Sequence, residues 1–180
     1  YDHGGGLRTF LEVNEKAKVS IHGSAFEPHY SLRESGLKYI GLDSGLKGNS
    51  RLVFCGERTD IGTGILLFAG VKGNCISPPG NKLLFGPSEV RNDDFCHEQS
   101  LIIQEGNKIV LFAGCAHCGI LNIMAKARQL TGLSPTHVFS GMHLAKSGLP
   151  HQQERQFICT LAERLMKTAD CNYYTMHCTG

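Results

Sequence analysis

The chain has 180 residues, 41% of them apolar and 19% charged, with a net charge of +2 at neutral pH. It is long enough to bury one substantial core, and its scattered Lys and Arg residues argue against a nucleic-acid partner. No apolar stretch approaches the ~20 residues that cross a bilayer as a helix, and its eight cysteines lack the close spacing of a disulfide scaffold, so reduced thiols in the cytosol are expected.

The chain opens on Tyr1-Asp2-His3-Gly4-Gly5-Gly6-Leu7. The apolar spacing of Leu7, Phe10 and Leu11 predicts a short amphipathic helix over 7–13. A strand is expected over 17–22, then an irregular excursion over 23–50, punctuated by glycines. Strands follow at 51–55 and 64–71, with the turn-like Thr59-Asp60-Ile61-Gly62 between them, and 75–91 reads as loop. Ser100–Gln104 and Lys108–Ala113 flank Glu105-Gly106-Asn107 as a β-hairpin. A helix over 120–130 is ended by Thr131-Gly132, and a strand covers 135–140. The longest helix spans 152–167, with Phe157, Ile158, Leu161 and Leu165 on one stripe, and a last strand covers 172–176. Histidine motifs recur directly after strands, where α/β architectures gather ligands.

Asp2-His3 offers a hard oxygen and an imidazole nitrogen, a pairing suited to zinc or iron, and the glycines after it permit a tight turn. His117, in Gly114-Cys115-Ala116-His117-Cys118-Gly119, sits where a strand feeds a helix. It reads as a metal ligand on rigid elements or as a core histidine bonded to a carbonyl. Cys115 and Cys118 form a Cys-x-x-Cys that suits half a structural zinc site or a redox pair. A second such pair and an N-terminal βαβ start are both missing. His143, in Gly141-Met142-His143, reads as a ligand, a proton relay or an orienting donor. His177 precedes Cys178-Thr179-Gly180, an end that offers donors to an anion. His22, His29, His137 and His151 read as structural or solvent-facing, and His97, in Cys96-His97-Glu98, as a loop histidine. Cys55, Cys75, Cys159 and Cys171 read as partly buried small apolar residues.

Taken in order, Tyr1–Leu7, Phe95–Leu101, Gly114–Asn122, Gly141–Leu144 and His177–Gly180 resemble the metallo-β-lactamase superfamily. They are most similar to its branch of metal-dependent hydrolases related to dihydropterin ribofuranosyl-aminobenzene phosphate synthase. Asp2-His3 matches the end of the superfamily signature His-x-His-x-Asp-His, whose Ser-His-x-His head is expected before Tyr1. The resemblance implies an α/β (α+β) fold, an αββα sandwich lacking its first strands, with residues 1–180 forming a single N-terminally truncated domain of about two-thirds to three-quarters of a family domain. It implies metal ligation by Asp2, His3, His117 and His177, zinc in one or two ions with iron or manganese as alternatives, and catalytic roles for Asp2 and His143. His143, Cys178 and Thr179 are the implied substrate contacts. His143 falls where relatives place a bridging carboxylate.

The implied activity is hydrolysis by a metal-activated water of a small anionic substrate, a phosphoester or a pterin-linked phosphate. The alternative is an inactive truncated metal-binding fold or one completed by a partner chain. The expected partner is a small molecule, with neither nucleic acid nor membrane, and open strand edges offer a route to a homo-oligomer.

Overall fold

The computed structural model describes residues 3–144 and 149–179. Its elements in chain order are α1 (Leu7–Val13), β1 (Val19–His22), β2 (Tyr30–Arg33), β3 (Gly36–Tyr39), β4 (Leu52–Cys55), β5 (Arg58–Gly62), β6 (Ile65–Phe68) and β7 (Leu84–Phe85). They continue with β8 (Ser100–Glu105), β9 (Lys108–Ala113), α2 (Ile120–Thr131), β10 (His137–Ser140), α3 (His151–Met166) and β11 (Asn172–Thr175). Six strands form one sheet in the order β11-β10-β9-β8-β6-β5. Its β9, β10 and β11 are parallel, and β5, β6, β8 and β9 pair antiparallel. A parallel pair β1-β4 and an antiparallel sheet β3-β2-β7 complete the strands.

Period-two patterning builds the main core. In β9, Ile109, Leu111 and Ala113 are buried while Lys108 and Phe112 face outward, as expected when alternate side chains take opposite faces. Ile109, Leu111, Ile102, Phe68 and Val138 join Ile120, Ile123, Met124 and Ala127 of α2 and Leu161 and Leu165 of α3 in one cluster. Each large side chain buried there contributes about 1.5–3 kcal/mol. A separate cluster of Leu11, Phe26, Leu46 and Leu52 lies beneath α1 and the β1-β4 pair. The outward face of the six-stranded sheet carries a stacked row, Phe112–Phe139–Tyr174, with ring centroids 4.9 and 4.3 Å apart.

Several expectations need correction. The 23–50 stretch contains the β2–β3 hairpin, with Tyr30 paired to Tyr39 and Arg33 to Gly36. Its strands are half polar, so no alternation marks them. Residues 58–62 are the edge strand β5 rather than a turn; paired only with β6, it needs no apolar face. Within 75–91, β7 adds a short third strand to the hairpin sheet. On α3, Ile158 lies off the buried stripe at 38% exposure. Cys159 is exposed, and none of the eight cysteines is in a disulfide.

Candidate metal centre

Because β9, β10 and β11 are adjacent and parallel, their C-terminal ends open at one edge of the sheet. The 114–119, 141–144 and 176–179 junctions therefore meet there. The antiparallel β8 begins at the same edge, Ser100 opposite Ala113, and brings the 95–99 loop beside them. Gly141 marks how closely the backbones approach: a Cβ there would sit 2.9 Å from Cys178 Sγ and 3.1 Å from the Gly114 carbonyl oxygen.

Two donor clusters share one sulfur. His3 Nε2 lies 2.9 Å from Cys115 Sγ, and His177 Nδ1 lies 3.4 Å from the same sulfur. The His3 and His177 rings are 4.9 Å apart. Cys115 also groups with His117 and His143, their donor atoms all within 4.8 Å of one another and the two rings 4.3 Å apart. His143 Nδ1 is buried and has no hydrogen-bond partner among the described residues. Borderline-soft sulfur and imidazole donors converging in this way, with an orphaned buried nitrogen among them, fit a metal such as zinc.

His117 is oriented by its neighbours. Asn81 Nδ2 donates to the His117 carbonyl at 2.7 Å, which turns Asn81 Oδ1 toward the ring, 2.9 Å from Nδ1. Nδ1–H then donates to Asn81, and the Nε2 lone pair is left as the ligand atom. Phe95 stacks on the ring at 4.7 Å and 7°. Burial first, then the neighbouring His143, press the His117 pKa down to about 3, so the imidazole is neutral near pH 7. Glu98 holds the same junction from below. Its Oε1 accepts the His117 amide at 2.7 Å and its Oε2 the Cys118 amide at 2.9 Å. Burial raises the Glu98 pKa against the pull of those two amides.

Backbone strain collects around this edge. Phe95, Ala116, His143 and His177 have φ of 54°, 56°, 45° and 54°, the left-handed region that costs non-glycine residues about 1–2 kcal/mol each. Such residues persist where surrounding structure holds them, commonly at functional sites.

The expected site residues fall as follows. Asp2 lies outside the described residues. His3 and His177 meet at Cys115, whereas His117 meets His143; Cys115 links the two pairs. Cys178 Sγ accepts the His143 amide at 3.2 Å. Its hydrogen bond with Cys115, helped by His143 and His177, holds its pKa at about 3 against burial. Thr179 donates its hydroxyl to the Met176 carbonyl at 3.0 Å. Cys118 points elsewhere, its sulfur 3.6 Å from the Phe95 carbonyl, and burial pushes its pKa up; the Cys-x-x-Cys is not a paired unit.

The sequence pairs Cys115 with Cys118 rather than with His3 and His177 and gives no sign of the parts played by Asn81 and Glu98. His29 is buried, in keeping with a structural histidine, and is grouped with Asp93 and His97. Only Cys115 carried a signal, its place in the strand-end motif. All these residues border or support one cavity of about 1630 Å³, whose wall includes His3, Cys115, His117, His143 and Cys178. Among the described residues, no helix is long and apolar enough to cross a membrane.

The α+β fold, with histidines and cysteine gathered at the strand ends of a mixed sheet, matches a crystal structure of a metal-dependent hydrolase of the β-lactamase superfamily with a TM-score of 0.70 and 27% identity. That match covers 91% of this chain and 60% of the other. In sequence the chain is similar to 7,8-dihydropterin-6-methyl-4-(β-D-ribofuranosyl)-aminobenzene-5'-phosphate synthase of Methanocaldococcus jannaschii, 23% identical over 193 residues that span 100% of this chain and 63% of the relative. The chain thus spans about three-fifths of the length of both proteins. No protein-family model matches it.

Proposed function

We propose that the chain is a metal-dependent hydrolase acting on a small anionic substrate, a phosphoester or a pterin-linked phosphate. The observation that carries this reading is the convergence on Cys115 of His3, His117, His143 and His177 from separate junctions. His3, Cys115, His117 and His177 would hold zinc, with Asp2 adjoining His3 in sequence and His143 facing the substrate. The chemistry an ion supplies in such a site is acidification of water and polarisation of a carbonyl or phosphoryl oxygen.

The chain's own groups supply the rest. Asn81 and Glu98 hold the His117 ring and its backbone in one orientation, so no reorganisation is needed on binding. The buried, unpartnered Nδ1 of His143 is placed to pass a proton to a leaving group or to bind a substrate oxygen. Lys18 and Arg33 on the cavity wall offer cations to an anionic substrate. Leu7, Phe10 and Leu42 give the same wall an apolar surface suited to a flat ring. Eight cysteines outside any disulfide suit a reducing, cytoplasmic setting.

The test is hydrolysis of a chromogenic phosphoester by zinc- and manganese-loaded protein, with His117→Ala and His177→Ala alongside. The reading predicts loss of metal retention and a fall in turnover of at least about 100-fold in each variant. A fully active His117→Ala protein overturns it. Metal bound with no turnover of any phosphoester favours a binding fold.

A further inference from the structure

We propose that His29, Asp93 and His97 form a separate divalent-cation site in the wall of the same cavity, built from two imidazoles and one carboxylate without sulfur. This goes beyond the hydrolase reading and does not depend on it. The donor atoms of the three residues all lie within 4.8 Å of one another. His29 Nδ1 is 2.9 Å from Asp93 Oδ2, and His97 Nδ1 is 3.8 Å from Asp93 Oδ1. The His29 and His97 rings are 4.2 Å apart.

Burial and unmet bonding set this group apart from a surface ion pair. The side chains of His29 and Asp93 are 11% and 7% exposed, and that of His97 is 26% exposed. His29 Nδ1 faces Asp93, while its Nε2 is buried with no hydrogen-bond partner among the described residues. An unmet buried polar atom costs about 1–3 kcal/mol, so the buried Nε2 of His29 is the atom that points to a further partner. Asp93 is itself fixed, its Oδ1 accepting the Phe95 amide at 2.8 Å.

The donor set distinguishes this site from the cysteine-centred one. Two imidazoles and a carboxylate suit zinc, iron, cobalt or manganese and leave positions open for water or a substrate oxygen. His29, Asp93 and His97 all line the cavity. Phe95 stands between the two groups, 6.4 Å from the His97 ring and 4.7 Å from the His117 ring. An ion at this second position faces the same substrate space and supplies a fixed positive charge for an anionic group.

Cobalt(II) reads the two sites separately, because a thiolate ligand gives a sulfur-to-cobalt charge-transfer band and an imidazole–carboxylate site does not. In the otherwise unsubstituted chain, His97→Ala is expected to remove one bound cobalt equivalent and leave the sulfur band intact. Cys115→Ser is expected to remove the sulfur band and leave the other equivalent. If His97→Ala loses the native circular dichroism spectrum, Asp93→Asn, which keeps the acceptor for the Phe95 amide, takes its place. Unchanged cobalt stoichiometry in a folded His97→Ala or Asp93→Asn protein overturns the proposal, whatever becomes of the sulfur band or of hydrolysis.

Discussion

Glu98→Ala should destabilise the fold and loosen the metal centre together. The wild-type carboxylate accepts two buried backbone amides, at 2.7 and 2.9 Å. Hydrogen bonds to a charged partner contribute about 1.5–3 kcal/mol each, so losing both costs about 3–6 kcal/mol gross. Part is returned because the alanine protein no longer buries a carboxylate, a cost visible in the raised Glu98 pKa. The net expectation is a loss of about 2–4 kcal/mol, a large share of the roughly 5–15 kcal/mol that stabilises a typical domain. Urea unfolding followed by circular dichroism measures it. Zinc titration of the same protein should show affinity about 10- to 100-fold weaker, as when a residue orienting a ligand is lost. A Glu98→Ala protein within about 0.5 kcal/mol of wild type, the scatter of ordinary surface changes, would refute the reasoning.

The other predictions bear on the same junction. The raised Glu98 pKa means the native state keeps that proton more tightly than the unfolded chain. The stability Glu98 contributes is therefore fully present below about pH 4.3 and shrinks as pH rises through the raised value. The Glu98→Ala penalty, measured by urea unfolding across pH, should be smaller at neutral than at acid pH. Gly119→Ala should cost at least about 2 kcal/mol in thermal or urea unfolding, because φ is +85° and the new Cβ would meet the Ile76 carbonyl oxygen at 2.6 Å. Cys118→Ala should leave zinc stoichiometry unchanged, its sulfur facing the Phe95 carbonyl; loss of a zinc equivalent would restore the paired-cysteine reading. Chelation should lower the unfolding temperature and zinc should restore it, since a ligand at about 100 times its Kd adds about 2.7 kcal/mol.

The β9-α2-β10-α3-β11 run was legible because each element carries its own period. Ile109 and Leu111 alternate with Lys108 and Val110, and Leu161 and Leu165 recur at helical spacing. Once those parallel strands are read, the meeting of His117, His143 and His177 at one edge follows from topology alone. β5 was not legible, because Arg58-Thr59-Asp60-Ile61-Gly62 lies at the sheet edge and is held by pairing with β6. Donors brought together by loops were equally hidden. Nothing in local sequence links His29 to Asp93, and Cys115 stood next to a histidine motif without any local sign that His3, 112 positions earlier, would lie 2.9 Å from its sulfur.

Metal-edge X-ray absorption of the zinc-loaded protein tests the centre most directly. The account predicts a sulfur shell at about 2.3 Å beside imidazole nitrogens, lost in Cys115→Ser and diminished in nitrogen by His177→Ala. A first shell of nitrogen and oxygen alone, unchanged by either substitution, would contradict it.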